Sequence, residues 1–533
     1  MHIRRTVLAG ALPAVAVLAL TGCGGDPQVR PDPDGVVRIA VTEPADLLPT
    51  GVDETGGWQV LAALFTPLVG FDAAGRPYPL AAESVEPGPA SRVWTVTLRG
   101  GYTFHNGEPV TADSYLRAWN FGAYQPNRQR NSYYFARIAG YPELNPGAGL
   151  TPVVRNLSGL AKLDDRRFTV TLAEPFAEFP AMLGAPAFYP LPAAAFGPDG
   201  RTLRAGFATA PVGNGPFRMV QWRPGDQIAV ERYPAHPGPP PRVAGVEFVA
   251  YRDPGPAYAD LLAGDLDVVT RIPPGRLATV AADLGQRYRQ APGAGFHFLA
   301  FPAYQAELAD PEIRRAISMA IDRDEIVTGI FRGTQTAARG FVPPVVPGAR
   351  PDGCGTACRF DPVTARDRYL RAGGPARLTI TYNADGGHRD WVEATCDQLR
   401  SHLGVACAGQ PVPRFADLLA RLDRREPVGM VRSGWVMDYP SMASYLHPVF
   451  ASDGSANLHG YQNRELDGLL TTAAATPEAA PAAYRQVEEI LARDLPVIPL
   501  RFETYPVGHS RFVREVAVTR TGQIDLIRIE AFR

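Results

Sequence analysis

The chain has 533 residues, 45% of them hydrophobic, and 53 Lys plus Arg nearly balance 54 Asp plus Glu, for a net charge of −1. A body this long buries a large core and divides into more than one lobe. The balanced charge argues against a nucleic-acid partner, which requires a basic face.

In chain order, the basic start Met1-His2-Ile3-Arg4-Arg5 is followed by an apolar run from Val7 to Leu20 and then Leu20-Thr21-Gly22-Cys23. That order predicts a secretory signal over 1–22 with a small-residue cleavage site before a cysteine. The apolar run is shorter than the ~20 residues a bilayer span needs. The tetrad resembles the bacterial lipobox, which implies a lipid on Cys23 and anchoring at the outer face of the cytoplasmic membrane. Arg4-Arg5 is also compatible with twin-arginine export. Residues 23–35, rich in Pro and Gly, read as a lipid-anchored linker.

The body opens with a strand at Val36–Val41. Val93–Leu98 alternates, with Trp94, Val96 and Leu98 on one face. His105-Asn106-Gly107 is a turn, and Thr111 caps a helix through Phe121 with Asp113 in its first turn. Strands are predicted at Phe168–Leu172 and from near Phe217 through Glu231, and residues 234–241 are excluded from regular structure by their prolines. A helix is predicted over 311–331, with Asp310 as N-cap, Pro311 at the first position and Ile313, Ala316, Ile317, Ala320 and Ile321 on one face. A strand at Arg377–Tyr382, a helix at 388–403 and a strand at Val405–Val412 form half of an α/β lobe. A helix at 477–493 and a buried strand at Val497–Leu500 follow.

Beyond Cys23 there are four cysteines, Cys354, Cys358, Cys396 and Cys407. An even number in an exported chain favours disulfides. Sequence neighbours suggest Cys354–Cys358 and Cys396–Cys407, although three pairings are formally possible. Their spacing does not match paired zinc knuckles. Catalytic signatures are absent. The sole lysine, Lys162, follows Ala161, so there is no Walker A motif, and neither a Gly-x-Ser-x-Gly elbow nor His-Glu-x-x-His occurs. Gly213-Asn214-Gly215 lacks the third glycine of a dinucleotide loop and leads into a strand, so it reads as a tight crossover. No enzyme, cofactor or metal site is expected.

Several segments in order resemble one family. They are Trp94-Thr95-Val96-Thr97-Leu98-Arg99 with Phe104 to Asp113, Pro211 to Phe217 with Glu231 to Pro234, Ala263-Gly264-Asp265-Leu266-Asp267, Asp310 to Arg323, Arg432 to Pro440, and Tyr461-Gln462-Asn463 with Leu466-Asp467. Together they are similar to the large solute-binding lipoproteins of bacterial peptide importers, extracellular solute-binding protein family 5, and within it to the oligopeptide- and dipeptide-binding proteins. Ala300-Phe301-Pro302-Ala303-Tyr304 and the Cys354–Cys358 loop depart from the family pattern and bear on ligand identity more than on fold.

The resemblance implies an α/β, two-lobed periplasmic-binding-protein-like fold with hinged lobes around a central ligand cleft. Lobe I would span 36–292 with an extra subdomain near 76–202, lobe II 293–500, and 501–533 would return to lobe I. It implies a short extended peptide as ligand, bonded by main chain like an added strand, and delivery to ABC transporter permease subunits by a monomer. Asp438 would meet the peptide ammonium and Arg432 a carboxylate. Trp435 would form a wall between them, with Tyr439, Tyr133 and Tyr134 at the site and Phe135 beside them. The same family also takes nickel chelates, haem and oligosaccharides, and a sensor or adaptor lipoprotein without transport would look alike in sequence.

Overall fold

The computed structural model describes residues 30–533 apart from Ala73 and Ala148. The signal segment, Cys23 and the first part of the linker lie outside the described residues. The fold is a mixed α/β assembly built on one eleven-stranded sheet. Its strands in chain order are β1 (Val36–Val41), β2 (Phe217–Arg223), β3 (Gln227–Arg232), β4 (Gly245–Ala250), β5 (Val268–Val269), β6 (Tyr288–Ala300), β7 (Gln335–Ala337), β8 (Arg377–Asn383), β9 (Ala406–Val412), β10 (Met430–Val436) and β11 (Val497–His509). The spatial order is β9-β8-β10-β6-β11-β5-β1-β4-β3-β2, with β7 beside β11.

The sheet has two halves. In one, β1 runs parallel to β4, Val36 opposite Gly245 through Val41 opposite Ala250, because Val37 and Ile39 are buried on one face. In the other, β8 lies parallel to β9 and β10, and the intervening helix Arg389–Leu403 completes the strand–helix–strand unit read from the sequence. The two thirteen-residue strands β6 and β11 run antiparallel through both halves. Their ladder breaks between Pro292 and Phe296. Gly293 and Gly295 sit there because β11 comes close: a Cβ on Gly293 would lie 2.7 Å from the Glu503 carbonyl oxygen, and one on Gly295 would lie 2.3 Å from the Glu503 carboxyl carbon.

A separate four-stranded sheet, Ala82–Pro87, Val93–Leu98, Arg167–Thr171 and Leu160–Lys162 in that spatial order, packs on the helix Ala112–Ala123. Trp94, Val96 and Leu98 are buried together, as their alternation predicts. Ser114 Oγ accepts the Thr111 N–H at 3.1 Å at the helix start. Trp119 meets Phe168 and Phe188 edge-on at 5.5 and 5.2 Å. The loop after this small sheet meets the segment between β10 and β11: Ala177 N–H donates to Ala474 O, and Glu178 accepts from Tyr484 and Ser441 hydroxyls.

Three expectations are corrected. The run from Phe217 to Glu231 is not one strand but the hairpin β2–β3, which turns at Pro224-Gly225 with Gly225 at φ 75°. The helix expected over 311–331 is two, Pro311–Met319 and Arg323–Gly329. Asp322 caps the second by accepting from Glu325 N–H, and the buried Arg323 guanidinium takes the Ser318 and Ile321 carbonyls that a continuous helix would use for itself. The final buried strand does not stop at Leu500 but continues as β11 to His509.

Elsewhere the expected elements are present, the helix at 477–493 as Ala480–Asp494. Gly213 and Gly215 make the tight crossover: a Cβ on Gly213 would lie 1.9 Å from Leu64 O. Both suggested disulfides form, Cys354–Cys358 and Cys396–Cys407. Among the described residues no helix is long and apolar enough to cross a membrane, and no cluster of His, Cys, Asp or Glu could hold a metal.

Candidate functional site

A cavity of about 610 Å³ opens where the two halves of the sheet meet. The first half supplies Ile39–Thr42 at the end of β1 and Trp58 and Gln59 from the helix Thr55–Leu64. Gly184–Pro186 and Tyr134 reach in from the small-sheet side, and Val436–Asp438 and Glu503–Pro506 close it from β10 and β11. Its walls are mostly apolar, with the carboxylates of Asp253, Asp438 and Glu503 and the guanidinium of Arg271 among them.

Asp438 lies just past the end of β10, and its backbone N–H donates to Ser444 Oγ at 2.8 Å. The Tyr133 and Tyr134 hydroxyls both donate to Asp438 Oδ1, at 2.9 and 3.1 Å. The tyrosines come from the 3₁₀ turn Ser132–Phe135, their rings 4.6 Å apart. Burial pushes the Asp438 carboxyl up to about 6 against the two hydroxyl bonds, and no cation figures among its neighbours. A buried carboxylate held by two phenols and lacking a counter-cation is built to receive a positive group.

The expected site residues separate. Asp438 and Tyr134 line the cavity, and Tyr133, 49% exposed, is tied to it through Asp438. Arg432 does not line it. It lies at the other end of β10, opposite Leu299, about 20 Å along the strand from Asp438. There it packs over the Phe415 ring at 5.4 Å, in a narrow recess with Leu418 and Ser433. Trp435 is also outside the cavity lining, its indole N–H bonded to Ser444 O at 2.6 Å. Tyr439 is buried against Phe176, and Phe135 is fully buried among aromatic rings.

A second polar group was not read from the sequence. His297 on β6 bonds Glu503 on β11 at 2.7 Å, with Arg501 and Arg432 within electrostatic reach. Burial alone would raise the Glu503 carboxyl, but the His297 bond and the two guanidiniums hold it below its ordinary value. The signal was available: Arg501 and Glu503 are charged residues two apart in a buried strand, hence on one face.

Fold and cavity together define a two-lobed ligand-binding protein. The chain belongs to the bacterial extracellular solute-binding proteins, family 5, whose model matches residues 76–457. It is 23% identical over 525 residues to the oligopeptide-binding protein OppA of Bacillus subtilis, covering 94% of each chain. It is 25% identical over 482 residues to the probable deoxycholate-binding periplasmic protein YgiS of Escherichia coli, covering 87% of this chain and 86% of that one. The unliganded open form of the periplasmic murein tripeptide binding protein MppA superposes with a TM-score of 0.82 at 22% identity, covering 95% of this chain and 99% of the other.

Proposed function

We propose that this protein is an extracytoplasmic solute-binding lipoprotein that captures short peptides between two lobes and delivers them to the permease of an ABC importer, as a carrier and not an enzyme. The observation that carries the reading is Asp438: a buried carboxylate in a cavity between the sheet halves, held by two tyrosines and lacking a cation. A peptide ammonium supplies the missing charge. The similarity to OppA of Bacillus subtilis and to the tripeptide-binding MppA supports a peptide as that ligand.

Lobe I comprises 36–292, with the small sheet inside the 76–202 subdomain, lobe II comprises 293–500, and 501–533 return to lobe I. The ladder break between Pro292 and Phe296 supports the first boundary and gives the lobes a place to hinge. Lipidation of Cys23 rests on the sequence motif and anchors the monomer to the outer face of the cytoplasmic membrane.

Calorimetry with alanine peptides of three to five residues tests the amine site. N-acetylation should weaken binding to the native protein by at least tenfold and to Asp438→Ala by much less, since groups in contact are non-additive. Equal losses in both proteins place the amine elsewhere.

A further inference from the structure

Residues 30–32, 511–514 and 530–533 form a small three-stranded ribbon away from the cavity. Arg30 and Arg533 exchange both backbone hydrogen bonds at 3.0 Å, and Pro31 stands opposite Phe532. On the other side of that strand Val513 stands opposite Ala531 and Arg514 opposite Glu530, and Phe532 N–H donates to Phe512 O at 2.8 Å. The register therefore sets Arg30, Arg533 and Arg511 abreast on three neighbouring strands. Strands lie about 4.8 Å apart and opposed residues share a face, so three arginines leave one side of the ribbon within roughly 10 Å. All three are exposed.

The fold gains nothing from this row, since like charges directly opposite on neighbouring strands are destabilising. Arg30 and Arg511 have no acidic partner among the described residues, and Arg533 meets only Asp32, in a solvent-open pair at 3.9 Å that holds little. Asp32 and the carboxylate at Arg533, where the sequence ends, offset part of the charge. The other acids nearby are engaged: Asp34 by Arg232, Glu515 by Arg528 and Glu530 by Arg242. Arg511 lies over the Phe512 ring at 4.9 Å, a contact that leaves its N–H groups free.

Position supplies the occupant. Seven residues lead from Cys23 to Arg30, and at no more than ~3.6 Å each they reach about 25 Å. A lipid on Cys23 therefore keeps Arg30 within that distance of the bilayer. The cavity lies the other way. Ile39 stands opposite Val268 and Val268 opposite His509, so β1 runs from the ribbon end toward Thr42 in the cavity wall, and β11 runs from Tyr505 in that wall toward Arg511. From Tyr505 to Arg511 the extended chain covers up to roughly 20 Å.

We propose that Arg30, Arg511 and Arg533 form a membrane-docking face that binds the phosphate groups of anionic phospholipids. The inference rests on the lipoprotein reading and deepens it. Guanidinium forks match phosphate oxygens, and each cationic side chain near an anionic surface strengthens binding about fivefold. The tether makes the contact intramolecular, so a weak face suffices. Docked this way, the body holds its cavity away from the bilayer, where solute can enter.

The test is flotation of the mature chain from Cys23, purified without lipid, with vesicles of phosphatidylcholine alone or with about 40% phosphatidylglycerol, in about 20 mM salt. The native chain should bind the anionic vesicles at least tenfold more strongly than the neutral ones, and about 0.5 M salt should abolish the difference. The combined Arg30→Gln, Arg511→Gln, Arg533→Gln variant should bring the preference below about twofold. Arg201→Gln, Arg332→Gln, Arg485→Gln, three exposed arginines elsewhere, should leave it within about twofold of native. Arg30→Gln alone, which leaves residues 511–533 untouched, should lower it about fivefold. No preference in the native chain, an equal loss in both triple variants, or no change in Arg30→Gln overturns the proposal. The lipoprotein reading is tested separately: in cells, the native protein should stay in the membrane fraction through a wash of about 0.5 M salt and Cys23→Ala should not. Release of both ends that reading, while the flotation result stands or falls by itself.

Discussion

Asp438 makes the site sensitive to pH. Its carboxyl, raised to about 6 by burial, must be ionised to hold an ammonium. Affinity for a free-amine peptide should therefore fall about tenfold per pH unit below 6, and calorimetry from pH 8 to pH 4.5 checks it. The stability sign is opposite. A carboxyl whose folded pKa is raised binds more protons folded than unfolded, so its ionisation destabilises the ligand-free protein as pH rises through about 4 to 6. Asp438→Asn, which keeps an acceptor for Tyr133 and Tyr134, should raise the unfolding temperature of ligand-free protein at pH 7.5 and not at pH 4, while weakening peptide binding. A lower unfolding temperature at pH 7.5 contradicts this account. Asp438 and its tyrosines were legible because a resemblance carried them. Arg501 and Glu503 were not, since the apolar run Val497–Leu500 looked complete, and it is pairing with β5, β6 and β7 that shows the strand continuing.

Among the elements, most helices and strands with a strong local pattern were read correctly, and breaks set by distant contacts were not. The helix Ala112–Ala123 announces itself through Thr111 and its apolar spacing. The break at Asp322 depends on where the Arg323 guanidinium goes, and no local pattern reports that. Pro224-Gly225 is a turn signal that the flanking apolar alternation obscured. The two disulfides act on elements of different reach. Cys396–Cys407 ties the helix Arg389–Leu403 to β9 across a sequence separation of 11, while Cys354–Cys358 closes a separation of 4. Loop-closure entropy gives the longer loop about 3 kcal/mol and the shorter about 2 kcal/mol. Scanning calorimetry should show a larger drop in unfolding temperature for the Cys396→Ala, Cys407→Ala double variant than for Cys354→Ala, Cys358→Ala. The reverse order would mean that the short loop organises more of the fold than its length predicts.

At the scale of the whole molecule, two strands crossing a continuous sheet let one core serve two halves. The ladder between them breaks where Gly293 and Gly295 lie against β11, beside Glu503 in the cavity wall. If the lobes hinge there as proposed, the cavity changes width without unpacking either half, and a ligand bridging Asp438 and the opposite wall shifts the population toward the closed form by its differential affinity. The proposed occupant of this cavity is a short peptide. Native mass spectrometry of the mature protein, purified without refolding, measures it directly. Bound masses should fall in the range of short peptides, retained by the native protein and lost from Asp438→Ala. A bound mass that is not a peptide, or the same peptide masses on both proteins, would contradict it.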